Sequence, residues 1–185
     1  LRCLEMALDG TLDGLSASML TTLDDTLRPL SQNYKVSAGR KIPMIFINHG
    51  QHRKEDFGKK YNARIFTKAK EELEKICGLT VTDENLRKTF TVYNENRAEK
   101  RRFIKLAAAH PQSVKASDRC YVLKSSYFML KDEHTELLKK LNAALEALPE
   151  EQWDGVRVVT SGVITDNPGL LQVFDDYKVC VVADD

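Results

Sequence analysis

The sequence lacks a surplus of either charge: 28 basic side chains against 27 acidic ones over 185 residues leave a formal net charge of +1. Electrostatic nucleic-acid binding draws on counterion release by a broad basic excess, so a nucleic-acid partner is not expected. No apolar run reaches the roughly 18 residues that a bilayer span requires, and no charged start leads into an apolar signal core. No membrane partner is therefore expected, and the expected location is cytoplasmic. Cysteine is sparse too. Cys3, Cys77, Cys120 and Cys180 stand far apart without a CxxC pair, a pattern of reduced, structural thiols more than of disulfides or a metal site. Also missing are a Walker loop, a GxSxG elbow, an HExxH pair and a dinucleotide fingerprint, so spacing alone assigns no chemistry. The chain opens on Leu1, without an initiator methionine, and ends on an apolar strand with two carboxylates. It reads as part of a longer protein.

What is present is organised around Thr82 to Leu106, the longest helical pattern. Thr82 suits an N-cap, and Asp83 and Glu84 place negative charge at the positive end of the helix dipole. Leu86, Phe90, Tyr93, Phe103 and Ile104 recur at helical spacing and predict one buried stripe. Arg97, Glu99, Lys100, Arg101 and Arg102 are expected to face water or another subunit. The basic cluster Lys100, Arg101, Arg102 and Lys105 is read as a solvated face, with a docking patch as the alternative. A helix of about 24 residues would be roughly 36 Å long, enough to join two lobes.

On the N-terminal side, the spacing predicts the tail of a helix to Leu8, sharing one face among Leu1, Leu4 and Leu8. A short strand follows within Leu12 to Leu23, then a turn at Asp24-Asp25-Thr26, where either aspartate could cap a helix running to about Tyr34. Val36 to Arg40 reads as a polar link. Lys41 to Asn48 is apolar without alternation, which suits a parallel strand covered on both faces. The loop after it, His49-Gly50-Gln51-His52-Arg53, lies where open α/β sheets place ligands. His49 and His52 could be metal ligands there, or loop residues that hold substrate or a neighbouring loop.

Tyr61 to Cys77 reads as a helix with Ile65, Phe66, Ala69, Leu73 and Ile76 inward and Glu74 among the outward residues, stopped by Gly78. Past the long helix, His110-Pro111 turns the chain. Cys120 to Leu130 shows no clear period, and Lys131 to Leu148 is a helix with Leu137, Leu138, Leu141, Leu145 and Leu148 on one stripe. A βαβ unit closes the sequence: strand Val156 to Thr160, a loop from Ser161 to Thr165, a helix opened by Asp166-Asn167-Pro168, and a strand from Val179. Ser161-Gly162 lies where helix-start amides could receive an anion. The expected division is 1–60 as the end of a first α/β lobe, 61–150 as a helical connector and 151–185 as the start of a second α/β lobe.

Several stretches, in order, resemble the 2-hydroxyacyl-CoA dehydratase and benzoyl-CoA reductase subunits. They are Ala7-Leu8-Asp9-Gly10, Asp25-Thr26-Leu27-Arg28 with Leu30-Ser31, Ile42-Pro43 through His49 and Arg53, Thr82-Asp83-Glu84 through Tyr93-Asn94-Glu95-Asn96-Arg97, Glu133-His134, and Ser161-Gly162 through Val181-Val182-Ala183-Asp184-Asp185. The resemblance implies a central fragment of a subunit of the 2-hydroxyglutaryl-CoA dehydratase D-component type. Its fold would be α/β, with parts of two flavodoxin-like, Rossmann-like parallel-sheet lobes joined by long helices. Such a subunit pairs with a related second subunit, carries a [4Fe-4S] cluster in the full-length family, and receives single electrons from an ATP-dependent iron-sulfur activator protein. The substrate is an acyl-CoA. Dehydratases form a ketyl radical at the thioester carbonyl and expel the 2-hydroxyl as water, whereas the reductases reduce an aromatic ring.

The family's middle cluster cysteine falls here at Asp24, a harder and poorer iron-sulfur ligand. The other ligand positions would lie outside these residues, so no metal is expected within this fragment, which alone would be inactive. The residues expected nearest the chemistry, by positioning or hydrogen bonding, are Asp24, Asp25, Thr26, His49, Gln51, Ser161, Gly162 and Asp184. The alternatives are a cluster-less supporting or regulatory subunit of the same fold, or an unrelated two-lobed ligand-binding module.

Overall fold

The computed structural model describes residues 2–162 and 165–184. Leu1, Val163, Ile164 and Asp185 lie outside the described residues, and with them the expected face shared by Leu1, part of the loop after Thr160 and the last residue of the terminal motif. The chain divides into two compact units, Leu1–Asp83 and Glu84–Asp185.

Two four-residue apolar segments organise the first unit, β1 (Ser18–Thr21) and β2 (Met44–Ile47). They pair in parallel, Ser18 opposite Met44 and Thr21 opposite Ile47. Parallel strands need a crossover, supplied by α2 (Leu27–Ser37), and need both faces covered. One face packs Met44 and Leu20 against Ala7, Tyr34, Ala38 and Ile42, drawn from α1 (Arg2–Leu8), α2 and the turn after α2. The other packs Ile45 and Ile47 against Ala69, Ile65, Leu73 and Ile76 of α3 (Asp56–Cys77). The two-sided burial expected of Lys41 to Asn48 is what the strand has.

Several local expectations are corrected. Neither Asp24 nor Asp25 caps α2: Thr26 holds the N-cap position, and the Asp24 carboxylate closes a turn on the Thr26 amide at 2.7 Å instead. The segment from Val36 is not a polar link, since α2 runs to Ser37 and Ala38 is buried. The α3 helix starts five residues before Tyr61, at Asp56, because Gly58 lets the helix press onto the preceding loop. A Cβ on Gly58 would lie 2.0 Å from the His52 carbonyl oxygen. Phe66 is exposed, and Glu74 turns back to accept the Val81 amide at 2.7 Å.

In the second unit α4 (Asp83–Ala109), α5 (Ala116–Ser125) and α6 (Lys131–Glu146) surround a core of Phe103, Ala107, Leu138 and Leu145. Phe90 and Tyr93 do not join it; both are exposed, and burial on α4 begins only at Asn96. The elements that pack on α4 meet its second half, so apolar spacing in the first half marks no burial within this unit. Leu137 and Leu148, expected on the α6 stripe, are also exposed. Cys120 to Leu130, which has no visible period, begins within a helix, because α5 is covered on several sides and buries even Arg119.

Two asparagines fix α4 against α6. The Asn96 amide nitrogen faces the Lys131 carbonyl at 3.3 Å, the His134 Nδ1 at 2.9 Å and the Thr135 hydroxyl at 3.0 Å. The Asn142 amide donates to the Glu99 carbonyl at 3.1 Å and to the Glu99 carboxylate at 2.8 Å. Farther along, Arg102 pairs with Glu146. Partners advance together along both helices, so the two run in the same direction. The unit ends in β3 (Val156–Thr160), α7 (Pro168–Asp176) and β4 (Val179–Asp184), a parallel βαβ with a register shift between Val158 and Val159.

Replacing Asn96 by Ala leaves the His134 Nδ1 without its buried donor, whereas the Lys131 carbonyl keeps the Thr135 hydroxyl at 2.6 Å. We expect a loss of about 2 kcal/mol in urea unfolding, since a buried group left unpaired costs about 1–3 kcal/mol. A loss below about 0.5 kcal/mol would show the clasp to be dispensable.

Candidate functional site

The parallel order of β3 and β4 brings the ends of both strands to one edge of their sheet. Ser161 and Gly162 follow β3, and Asp184 ends β4. Gly162 has φ +112°, a conformation that side-chain-bearing residues rarely adopt, so the chain leaves the strand through a position suited to glycine. These three residues line a cavity of about 430 Å³ formed together with α4, α5 and the start of the α7 loop. The volume is in the usual range for a small-molecule site.

The floor is apolar, with Ile104, Leu123, Leu171 and Val181, and Tyr127 and Phe128 stand on the wall, largely exposed. Five cations line it, Arg97, Lys100, Arg101, Arg119 and Lys124, against two carboxylates, Asp166 and Asp184. That leaves five minus two, an excess of three positive charges. The carboxylates are already spoken for. Arg119, almost wholly buried, holds Asp184 through both terminal nitrogens, at 2.6 Å and 3.4 Å. Lys124 meets Asp166 at 2.7 Å, and that pairing holds the Asp166 carboxyl below the usual carboxylate range. The Arg119 Nε is buried with no partner among the described residues.

The excess charge therefore sits on α4. Lys100 is half-buried, and its pKa is lowered by that burial and then by the nearby charges of Lys131 and Arg97. The basic cluster is thus not simply a solvated face, since Arg97, Lys100 and Arg101 turn to the cavity with Ile104. The signal was in the sequence: these four positions follow the i, i+3, i+4, i+7 spacing of one helix face, which a search for apolar periodicity passes over.

The first amides of α7, at the edge of the same cavity, are taken up within the helix itself. The Asn167 side chain accepts the Gly169 and Leu170 amides at 2.9 and 3.2 Å, which caps α7 from within.

In the first unit the ends of β1 and β2 likewise bring Asp24, Asp25 and Thr26 to the same edge as His49 and Gln51. Asp24 and its bonds to the Thr26 amide and hydroxyl form a self-contained turn that lowers the Asp24 pKa. The His49 amide donates to the Thr22 hydroxyl at 2.9 Å, and its ring meets Phe66 edge-on, 5.4 Å between centroids. His52 packs on Phe57 and faces Glu55. Asp25 and Gln51 are exposed.

The cysteines do not supply an iron-sulfur donor set. Cys3 and Cys77 are exposed in the first unit, whereas Cys120 and Cys180 lie in the second. Burial pushes both of those thiols up, away from the thiolate form that iron requires, and Cys120 donates to the Thr165 carbonyl at 3.5 Å. Among the described residues no three His, Cys, Asp or Glu side chains converge on a metal position. A cluster does not fit the residues described.

The family described as 2-hydroxyglutaryl-CoA dehydratase, D-component, matches residues 2–185. The chain belongs to this family. It is 47% identical over 98% of its length to the (R)-2-hydroxyglutaryl-CoA dehydratase subunit beta of Acidaminococcus fermentans, covering 48% of that protein. It is 36% identical over 98% of its length to the lactoyl-CoA dehydratase subunit beta of Anaerotignum propionicum, again covering 48%. A more distant relative is a benzoyl-CoA reductase subunit of Thauera aromatica, 26% identical over 98% of this chain and 47% of that one. The chain spans about half the length of the curated relatives it matches. Among the described residues no helix is long and apolar enough to cross a membrane.

Thiol exposure gives a direct test of these placements. Iodoacetamide at pH 8 should modify Cys3 and Cys77 well before Cys120 and Cys180, read by peptide mass spectrometry, because the last two are covered and held protonated. Equal rates at all four would contradict the burial described.

Proposed function

We propose that this chain is part of a β-type subunit of a 2-hydroxyacyl-CoA dehydratase, working with a related second subunit on an acyl-CoA thioester. The observation that carries the proposal is 47% identity along 98% of the chain to a dehydratase beta subunit. Dehydration is favoured over ring reduction because dehydratase relatives stand at 47% and 36% identity and the reductase at 26%. In this reading an ATP-dependent iron-sulfur activator supplies one electron that makes a ketyl radical at the thioester carbonyl; the 2-hydroxyl leaves as hydroxide and takes up the proton lost from C3 as water, and the electron is given back as the enoyl-CoA forms. A [4Fe-4S] cluster, where the full-length complex holds one, supplies the low-potential electron chemistry. The residues of this chain bind and orient, and we place Ser161, Gly162 and Asp184 at the CoA part of the acyl-CoA. Asp24, Asp25, Thr26, His49 and Gln51 would then be the residues of the first lobe that take part in positioning. Each parallel strand pair with its covering helices would be part of a flavodoxin-like lobe, and the complex would work in the cytoplasm.

A second reading has its own support. Asp24 stands where the family resemblance expects a cluster cysteine, and its carboxylate is committed to the turn with Thr26. This subunit would then support chemistry on its partner's cluster.

The full-length chain, purified without oxygen with its partner subunit, tests both. We expect 2-hydroxyacyl-CoA dehydration on addition of an ATP-driven electron donor. About four irons and four sulfides on this subunit would identify it as cluster-bearing, and iron confined to the partner would identify a supporting subunit. Absence of iron from the whole complex together with absence of dehydration would sink the proposal.

A further inference from the structure

The cavity of the second unit has more positive charge than its own fold uses. Among the described residues no carboxylate lies within ion-pair reach of Arg97, Lys100 or Arg101, and the Arg97 guanidinium donates instead to the neutral Asn94 side chain at 2.8 Å. Three like charges along one helical stripe repel, and a partly apolar wall screens them less than open water does. Such an arrangement is stabilised by an anion with several negative groups. Beside it, Tyr127 and Phe128 line the same cavity while 72% and 79% exposed, which leaves two aromatic rings free to take a flat, π-bearing partner.

We propose that this cavity holds the phosphorylated adenosine end of a CoA thioester, an inference that rests on the acyl-CoA reading above. Arg97, Lys100 and Arg101 bind the phosphates, and Tyr127 and Phe128 stack on the adenine. The cavity of about 430 Å³ is too small for a whole CoA thioester and suits one end of it. Side chains carry the anion recognition because the nearby helix-start amides are engaged: Asn167 caps α7, and on α5 the Ser117 amide donates to Asp175 at 3.2 Å. The Arg119 to Asp184 and Lys124 to Asp166 pairs hold the walls in place, so the unpaired charge all lies on α4.

Phosphorylated adenosine also occurs as free nucleotide, so titration calorimetry on the full-length chain with its partner should compare CoA, dephospho-CoA, ADP and pantetheine. CoA should bind more tightly than dephospho-CoA, and pantetheine should bind weakly. Lys100→Met and Arg101→Ala should each weaken CoA about tenfold, as expected for a charge-assisted phosphate contact. Arg101→Lys should recover part of that loss, and Lys105→Ala, on an exposed position outside the cavity, should change nothing. ADP binding tighter than CoA, lost in the same variants, would keep the phosphorylated-adenosine site and assign it to free nucleotide. CoA affinity unchanged in the Lys100→Met, Arg101→Ala double variant, or no binding of CoA or ADP at all, would overturn the site. A complex that dehydrates acyl-CoA with unchanged CoA affinity in these variants loses the site and keeps the function. One that binds CoA through them yet leaves 2-hydroxyacyl-CoA intact loses the function and keeps the site.

Discussion

The hydrogen bonds from Asn96 to α6 set the geometry on which the second unit depends. A buried amide tied to three acceptors on another helix leaves neither helix free to slide or rotate. Asn142 repeats the device from α6 to Glu99. Between them the apolar contacts of Phe103, Leu138 and Leu145 add most of the burial, but apolar packing tolerates more than one arrangement and these bonds tolerate few. The clasp also brings together two stretches that carry the family resemblance and lie far apart in sequence: Asn96 belongs to one and His134 to the other, and they touch at 2.9 Å.

With α4 fixed on its Asn96 and Phe103 side, the neighbouring stripe of the same helix is fixed as well. Arg97, Lys100 and Ile104 each follow by one residue a position held against α6, Asn96, Glu99 and Phe103, and on a helix one residue is about 100° of rotation. The register that buries Asn96 therefore aims the basic residues at the ends of β3 and β4. Arg119 acts from the opposite wall, where its buried guanidinium holds the end of β4 by the Asp184 carboxylate. Packing and site geometry are consequences of one helix orientation.

The α/β character, the parallel pairing and most element positions were legible in the sequence, because they follow from signals that act locally. Met44–Ile47 is a continuous apolar run, Asn167-Pro168 is a cap, and Gly78 is a left-handed stop with φ +63°. What was not legible depended on neighbours. Phe90 and Tyr93 keep helical spacing, but no element of their unit covers them. In α5 the order is the reverse, since burial on several sides erases the period that would have revealed it. The candidate site divided the same way. Ser161, Gly162 and Asp184 were singled out by their position at strand ends and line the cavity, whereas Arg97, Lys100 and Arg101, which line it too, were not singled out, because charge on a helix is ordinarily read as solvent-facing. Asp24 was singled out for its chemistry, and its structural role turned out to be a turn closed on the next residue but one.

Each of the two sheets contains two strands among the described residues, so every strand has a hydrogen-bonding edge that no other described strand occupies. An edge of this kind is a template, able to accept a further strand without any change in the backbone that receives it. The strands here are short, four to six residues, which limits how strongly an arriving segment would be held. Growth of either sheet would thus be reversible strand by strand until helices covered the new face. The architecture is one that can be extended sideways, with the existing strand ends left where they are.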